Sequence, residues 1–277
     1  MQGKPRITNA DLTARVGYTE YLPPRDLAPW VACFWRIAGR AVDVPHRVLP
    51  DGCADLLFDL EGARGPGGAS TDLIGPMSTA HVVALNGAVD LLGVRLRPGA
   101  VAAFGGVRAD ELVDAVVPVS FGVSAAQLAE SGDGARGLVV DALRRRVATR
   151  AQPDPLVRQA LSRWARAESP DFPLISVLTR DLGLSERAFE RRFVANVGLT
   201  PVAYRRLARL RSVLRLYGQG YGHGSRGWAS IAATTGFSDQ AHLVRDCRAF
   251  TGLTPTEWAA TQMPGAGFLQ DGAVTTV

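Results

Sequence analysis

Residues that staple a fold or carry out chemistry are scarce in this chain. Three cysteines occur in 277 residues, and Cys33, Cys53 and Cys247 lie far apart. They form no close-spaced metal motif, and an odd number argues against a disulfide framework. They are expected to be reduced and mostly buried, with a redox or metal sensor as the alternative. Histidine is limited to His46, His81, His223 and His242. There is no Gly-x-Ser-x-Gly elbow, no His-Glu-x-x-His and no Cys/His cluster, so no enzyme, no cofactor and no metal are expected. The glycine-rich stretch Gly62–Gly68 lacks the lysine of a phosphate-binding loop and reads as a surface loop. No apolar run approaches the ~20 residues of a membrane span. Met1 to Asp11 has no apolar stretch after its positive charges, so no secretory signal is expected and the location reads as cytoplasmic.

Composition fits a soluble globular protein, with 47% hydrophobic and 21% charged residues, and the length fits two domains. The net charge of +5 is unevenly placed. Residues 1–150 hold 16 basic and 16 acidic side chains, whereas residues 151–277 hold 15 arginines against 10 acids. Between positions 180 and 250 the balance is 12 arginines against 5 acids, or +7. A basic excess confined to one half is the footprint of polyanion binding; the alternative is a solvated arginine-rich surface.

The boundary falls at Gln152-Pro153-Asp154-Pro155, where two prolines break helix and stiffen a linker. The expected division is 1–151, 156–262 and a disordered tail over 263–277. The expected class is α+β. Before the linker, Trp30–Ile37, Asp55–Leu60, His81–Leu85 and Val89–Leu96 read as short strands of a small barrel or sandwich. Helices flank them at Ala109–Val113 and Leu138–Arg150, the latter either a dimer helix or the cover of the core. After the linker the chain reads as all helical: Leu156–Glu168, Leu174–Leu182, a helix capped by Ser185, Pro201–Leu216, Ala229–Thr235, Ser238–Phe250 and Thr254–Ala260. Gly218–Gly227 reads as a flexible loop.

Within this helical half a single pattern occurs twice. Gly183-Leu184-Ser185, Phe189, Phe193 and Gly198-Leu199-Thr200-Pro201 recur as Gly236-Phe237-Ser238, Leu243, Phe250 and Gly252-Leu253-Thr254-Pro255, with the two serines 53 residues apart. Each copy reads as the second half of a helix-turn-helix. In the first, Phe189 and Phe193 must face the core, with Leu178 and Leu182 opposite them. That leaves Arg187, Glu190 and Arg191 outward. Such a face suits the major groove: arginine forks onto guanine, while Glu190 either accepts from cytosine or pairs with a neighbouring arginine. In the second copy Leu243, Cys247 and Phe250 form the buried stripe. Gln240 suits adenine, Arg245 suits guanine, and Ala241 and Val244 suit a thymine methyl. Ser185, Arg192, Arg205, Arg206, Ser238 and Arg248 are candidate phosphate contacts.

These residues resemble the arabinose-regulator-type (AraC/XylS) family of bacterial transcription factors over Leu156 to Ala260. The run Gly236-Phe237-Ser238-Asp239-Gln240-Ala241-His242-Leu243, with Arg245 and Phe250–Pro255, is very like the family's second helix-turn-helix signature. The resemblance implies two helix-turn-helix subdomains joined by one long helix, Pro201–Leu216, and the base-reading positions given above. Its 16 residues, at 1.5 Å rise, span roughly 24 Å. Cys247 stands where an aromatic is usual, so a less filled second core is expected. The implied partners are double-stranded DNA and RNA polymerase, with activation rather than repression, and without a membrane. The first half is similar to a less characterised module of the same family, which implies an effector-binding or dimerising domain, with a homodimer as one form. Trp35, His46, Arg95 and Arg97 are its candidate pocket residues; the alternative is that Arg95 pairs with Asp51 or Asp55 and the tryptophans are core. Two rivals from other classes are an enzyme or sensor fused to a DNA-binding module and a nonspecific DNA-packing protein.

Overall fold

The computed structural model describes residues 16–64, 71–149, 152–166, 172–220 and 227–261. The first half is built on one antiparallel sheet of β1 (Val16–Tyr21), β2 (Val31–Val48), β3 (Ala54–Asp59), β4 (Thr71–Ile74), β5 (His81–Leu96) and β6 (Val116–Pro118). The strand order is β1-β2-β5-β3-β4-β6. His81–Leu85 and Val89–Leu96, expected as separate strands, run together as β5. A register shift in β2 between Ala41 and Val44, opposite Gly87 at φ +75°, lets the ladder bend without ending.

Alternation along β3 divides the sheet into two faces: Ala54, Leu56 and Phe58 are buried on one side, with Asp55, Leu57 and Asp59 on the other. The first face joins Phe34, Leu92 and Val94 in a core with Leu128, Val139 and Leu143. These last three come from helices that cover the sheet. The short helices α1 (Leu60–Arg64) and α2 (Ala100–Gly105) precede α3 (Ala125–Ser131) and α4 (Ala135–Val147). Gly62 to Arg64, expected as the start of a surface loop, belongs to α1, while the rest of the glycine-rich stretch lies outside the described residues. A capping box between Ser124 and Gln127 starts α3. Of the two roles open to the Leu138–Arg150 segment, α4 takes the covering one through Val139, Ala142 and Leu143, while Leu138 stays exposed. Ala109–Val113 forms only a single 3₁₀ turn, Ala109–Leu112.

The second half is helical: α5 (Pro155–Arg166), α6 (Ile175–Asp181), α7 (Glu186–Val197), α8 (Pro201–Gly218), α9 (Gly227–Thr234), α10 (Gln240–Thr251) and α11 (Pro255–Thr261). Asp154 starts α5, accepting from the backbone N–H of Leu156 and Val157. In the first subdomain Trp164 lies edge-on to Phe193 at 5.6 Å and to Phe189 at 6.5 Å. In the second, Tyr217 stacks on Trp228 at 4.8 Å. Cys247 is fully buried in the cluster that holds Leu243, Phe250 and Trp258. All three cysteines are free and buried. Burial pushes the Cys33 thiol up to about 12 and the Cys247 thiol to about 11. Most of the Gly218–Gly227 loop and the tail from Met263 lie outside the described residues.

The halves pack on each other. Leu49 enters the helical core. Gly198, at φ +86°, admits the first half so closely that a Cβ would lie 2.9 Å from Val113 and 3.0 Å from the Ala109 carbonyl. The N–H of Ala80 donates to the Phe250 carbonyl at 2.8 Å, and Arg47 Nη1 donates to that of Thr251 at 2.9 Å. The sheet half therefore touches both helix-turn-helix units.

Candidate nucleic-acid interface and an N-terminal cavity

Two helices follow tight glycine turns and start on a side-chain cap. Gly183 (φ +67°) precedes α7, whose Ser185 Oγ accepts from the N–H of Ala188. Gly236 (φ +72°) precedes α10. There the cap is Asp239 rather than the serine, accepting from the N–H of His242, while Ser238 Oγ lies 3.0 Å from His242 Nδ1. The carboxylate is well placed at the positive end of the helix, and that N–H holds it below the usual carboxylate range.

The buried faces are Phe189, Phe193 and Val197 on α7, and Leu243, Cys247 and Phe250 on α10. Opposite them, Arg187, Glu190 and Arg191 are exposed on α7. On α10, Gln240, Ala241 and Arg245 are exposed and Val244 is half-buried. Each helix thus carries one fully seated face and one polar face whose arginines reach solvent.

Several expected phosphate contacts are engaged elsewhere. Arg205 donates to the carbonyls of Phe172 and Pro173, both at 3.1 Å. Arg206 donates to Asp246 Oδ1 at 2.7 Å, across to α10. Arg192 pairs with the linker residue Asp154. For Arg205 and Arg206 the physical reason is that α8 runs through the middle of the helical half, so arginines that would be outward on an isolated helix meet neighbouring elements. Ser185, Ser238 and Arg248 remain exposed. Arg205→Ala is therefore expected to lower stability by about 1 kcal/mol through lost hydrogen bonds, with the salt dependence of DNA binding unchanged. Urea unfolding and a salt titration check this; a flatter salt slope would restore the phosphate role.

Sequence reasoning missed Asp246. It is 2% exposed, receives Arg206 and Arg209, and has His242 Nε2 at 3.9 Å. Arg209 is itself buried, donates to the Gly236 carbonyl and lies 4.2 Å over the Phe237 ring. The signal was present: an acid at i+3 from Leu243, within the buried stripe.

The second face of the sheet borders a cavity of about 340 Å³. Its lining includes Tyr18, Trp35, Ile37, Leu57, Leu91 and Arg95. Trp35 lies so close to β5 that a Cβ on Gly93 would fall 1.9 Å from the indole. The Trp35 Nε1 donates to Asp55 Oδ1 at 2.8 Å. Arg95 Nε is 3.5 Å from Asp55 and 3.6 Å from Asp51. Burial raises the Asp55 carboxyl above its usual range, with Arg95 opposing and Asp51 adding to the shift. Arg95 thus pairs with Asp51 and Asp55, as one of the two expectations had it, and it also lines the cavity together with Trp35. Arg97 is a correction. It follows the end of β5, where the pleat no longer aims it, and its Nε donates to the Ala28 carbonyl at 2.7 Å. The His46 side chain lies outside the described residues. Among the described residues no cluster of three or more metal-ligating side chains occurs, and no helix is long and apolar enough to cross a membrane.

Comparison with known proteins bears on both halves. Residues 178–261 match the helix-turn-helix domain family, and residues 19–118 match a domain of unknown function, DUF6597. Among curated proteins there is no match. Among solved structures, apo ToxT from Vibrio cholerae is 11% identical, with a TM-score of 0.41 over 89% of this chain and 96% of that one. ToxT bound to (E)-4-(8-methylnaphthalen-1-yl)but-3-enoic acid is 11% identical, with a TM-score of 0.40 over 89% and 99%. The C-terminal domain of AraT, a response regulator from Geobacillus stearothermophilus, is 17% identical, with a TM-score of 0.35 over 40% and 88%. Residues 178–261, which hold the two capped and glycine-closed helices α7 and α10, are thus the part of the chain that is similar to the helix-turn-helix domain family.

Proposed function

We propose that the protein is a sequence-specific, DNA-binding transcriptional regulator in which α7 and α10 read two different stretches of one site. The observation that carries this is the pairing of seated and open faces: Arg187, Glu190 and Arg191 on one helix, Gln240, Ala241, Val244 and Arg245 on the other. At 1.5 Å per residue, the 18 residues of α8 span about 27 Å and hold the two units apart. With the width of the units added, this spacing suits successive major grooves, roughly 34 Å apart.

Residues 1–151 form the controlling domain in this reading and residues 156–262 the DNA-reading domain. Control by a small molecule is supported by where the cavity ends. Its wall includes Val48 and His81, the chain neighbours of Arg47 and Ala80, which bond to the end of α10. It also includes Asp114 and Ala115, next to Val113 at the Gly198 contact. A ligand that moved these walls would shift the two recognition helices relative to each other. Activation through RNA polymerase in the cytoplasm follows from the family resemblance and is tested by a promoter–reporter fusion.

Selection of bound fragments from random DNA tests the main reading: one recurring asymmetric motif is expected, and recovery of no motif would indicate nonspecific packing. Arg187→Ala and Arg245→Ala are each expected to cost about 1–3 kcal/mol on the selected site and to relax choice at one base pair. An equal loss on random DNA would remove their base-reading role.

A further inference from the structure

The cavity beside Trp35 plays no part in reading DNA, and its volume of about 340 Å³ lies within the range of small-molecule sites. Its walls are largely aliphatic, and the rings of Tyr18 and Trp35 stand among them. A buried guanidinium in such a place is commonly an anion anchor. Here the local charge opposes that role. Arg95 is 9% exposed and lies within 4.0 Å of carboxylate oxygens of Asp55, Asp51 and Glu20. Three carboxylates thus share one guanidinium. If Asp55 were protonated, Asp51 and Glu20 would still face Arg95, with Arg211 donating to the Asp51 carbonyl at 3.3 Å. Asp114 adds a further carboxylate to the lining, with His81 Nε2 at 3.5 Å from it. An anion entering this space would meet the Asp55 and Asp114 carboxylates as well as the Arg95 guanidinium.

The same arrangement suits a positive charge. Asp55 belongs to the cavity lining, and its Oδ1 accepts from the Trp35 indole, which places a carboxyl group beside the ring. The electron-rich faces of Trp35 and Tyr18 attract cations.

We propose that the cavity binds a lipophilic cation, an apolar body bearing a protonated or quaternary nitrogen that rests beside Asp55 against Trp35 and Tyr18. This rests on the reading above that the first half senses a small molecule. Arg95 then acts as a positioning residue that fixes Asp55 and Asp51, the carbonyl of which accepts from Arg211 of α8 at 3.3 Å.

Calorimetry on the full chain with one apolar body and three head groups tests the proposal: (2-naphthylmethyl)trimethylammonium, 2-naphthylacetate and 2-naphthaleneethanol. The cation is expected to bind at least about tenfold tighter than the carboxylate, and Asp55→Asn to bring it down to the affinity of the alcohol. The asparagine carbonyl can still accept from Trp35, so the fold is expected to persist; if it does not, Tyr18→Leu should weaken the cation more than the alcohol. Leu91→Trp, which fills the cavity, should abolish binding of all three. Tightest binding of the carboxylate or the alcohol would overturn the ligand class while leaving the sensing role standing. An unchanged cation affinity in Asp55→Asn, or binding that survives Leu91→Trp, would overturn the site. Failure of all three probes to bind the unaltered chain would count against both the proposal and the sensing role.

Discussion

Asp246→Ala is expected to destabilise the second helix-turn-helix by about 3–5 kcal/mol, the cost of leaving a buried charge without its partner. The carboxylate sits on α10 but points inward, where Oδ1 accepts from Arg206 at 2.7 Å and Oδ2 from Arg209 at 3.3 Å. Arg206 is partly exposed and can re-solvate. Arg209 is 6% exposed and cannot. Its remaining contacts, the Gly236 carbonyl, His242 Nε2 at 3.3 Å and the Phe237 ring, carry no negative charge to neutralise it. Loss of the acid therefore strains the turn that sets the start of α10. Asp246→Asn keeps an acceptor of the same shape and should lose less than the alanine variant. Urea unfolding followed by far-ultraviolet circular dichroism checks this. A loss below about 1 kcal/mol for the alanine variant would mean that Arg209 regains water or another partner once the acid is gone, so that no charge is left buried and unpaired.

The same pair shows how far the sequence could be read. The helices, their caps at Ser185 and Thr200 and their glycine stops follow from local rules, because each depends on residues within one or two turns. The buried faces follow from 3.6-residue periodicity, as at Phe189, Phe193 and Val197. What the pattern could not give is the surroundings of α8. Arginine is ordinarily solvent-facing, so Arg205 and Arg206 read as phosphate contacts. In the fold, α8 is flanked by both subdomains and by the sheet half, and its arginines meet the Phe172 carbonyl, Asp246, the Gly236 carbonyl and the Asp51 carbonyl. Those partners lie 27 to 160 residues away in the chain, beyond any local signal. The cavity was half legible for a related reason. Trp35 and Arg95 stand on paired strands, where alternation assigns a face. Arg97, two residues on, lies past the last pleat, where alternation has stopped. The continuity of β5 depends on a bulge in a different strand, β2, and so was invisible in β5 itself.

Phe189→Ala carries the other large expected effect, about 3–5 kcal/mol from a cavity at the centre of the first subdomain. The ring is fully buried, 5.5 Å from Phe193 and 6.5 Å from Trp164, which is itself pinned by a hydrogen bond to the Pro173 carbonyl. A pinned indole cannot collapse into the space, so the void persists and the upper end of the range applies. The substitution also separates the two faces of α7. Phe189 lies between Arg187 and Glu190 in sequence but on the opposite side of the helix from both. Phe189→Ala should therefore lower thermal stability, and any DNA affinity that remains at low temperature should keep its base preference. Arg187→Ala should do the reverse, leaving the melting temperature in place while relaxing one base pair. Thermal melts and fragment selection on the two variants, read together, decide the orientation of the helix. If Phe189→Ala left stability intact and altered base choice, α7 would be turned half a revolution from the position described, and the reading face would be the one that now lies against Trp164.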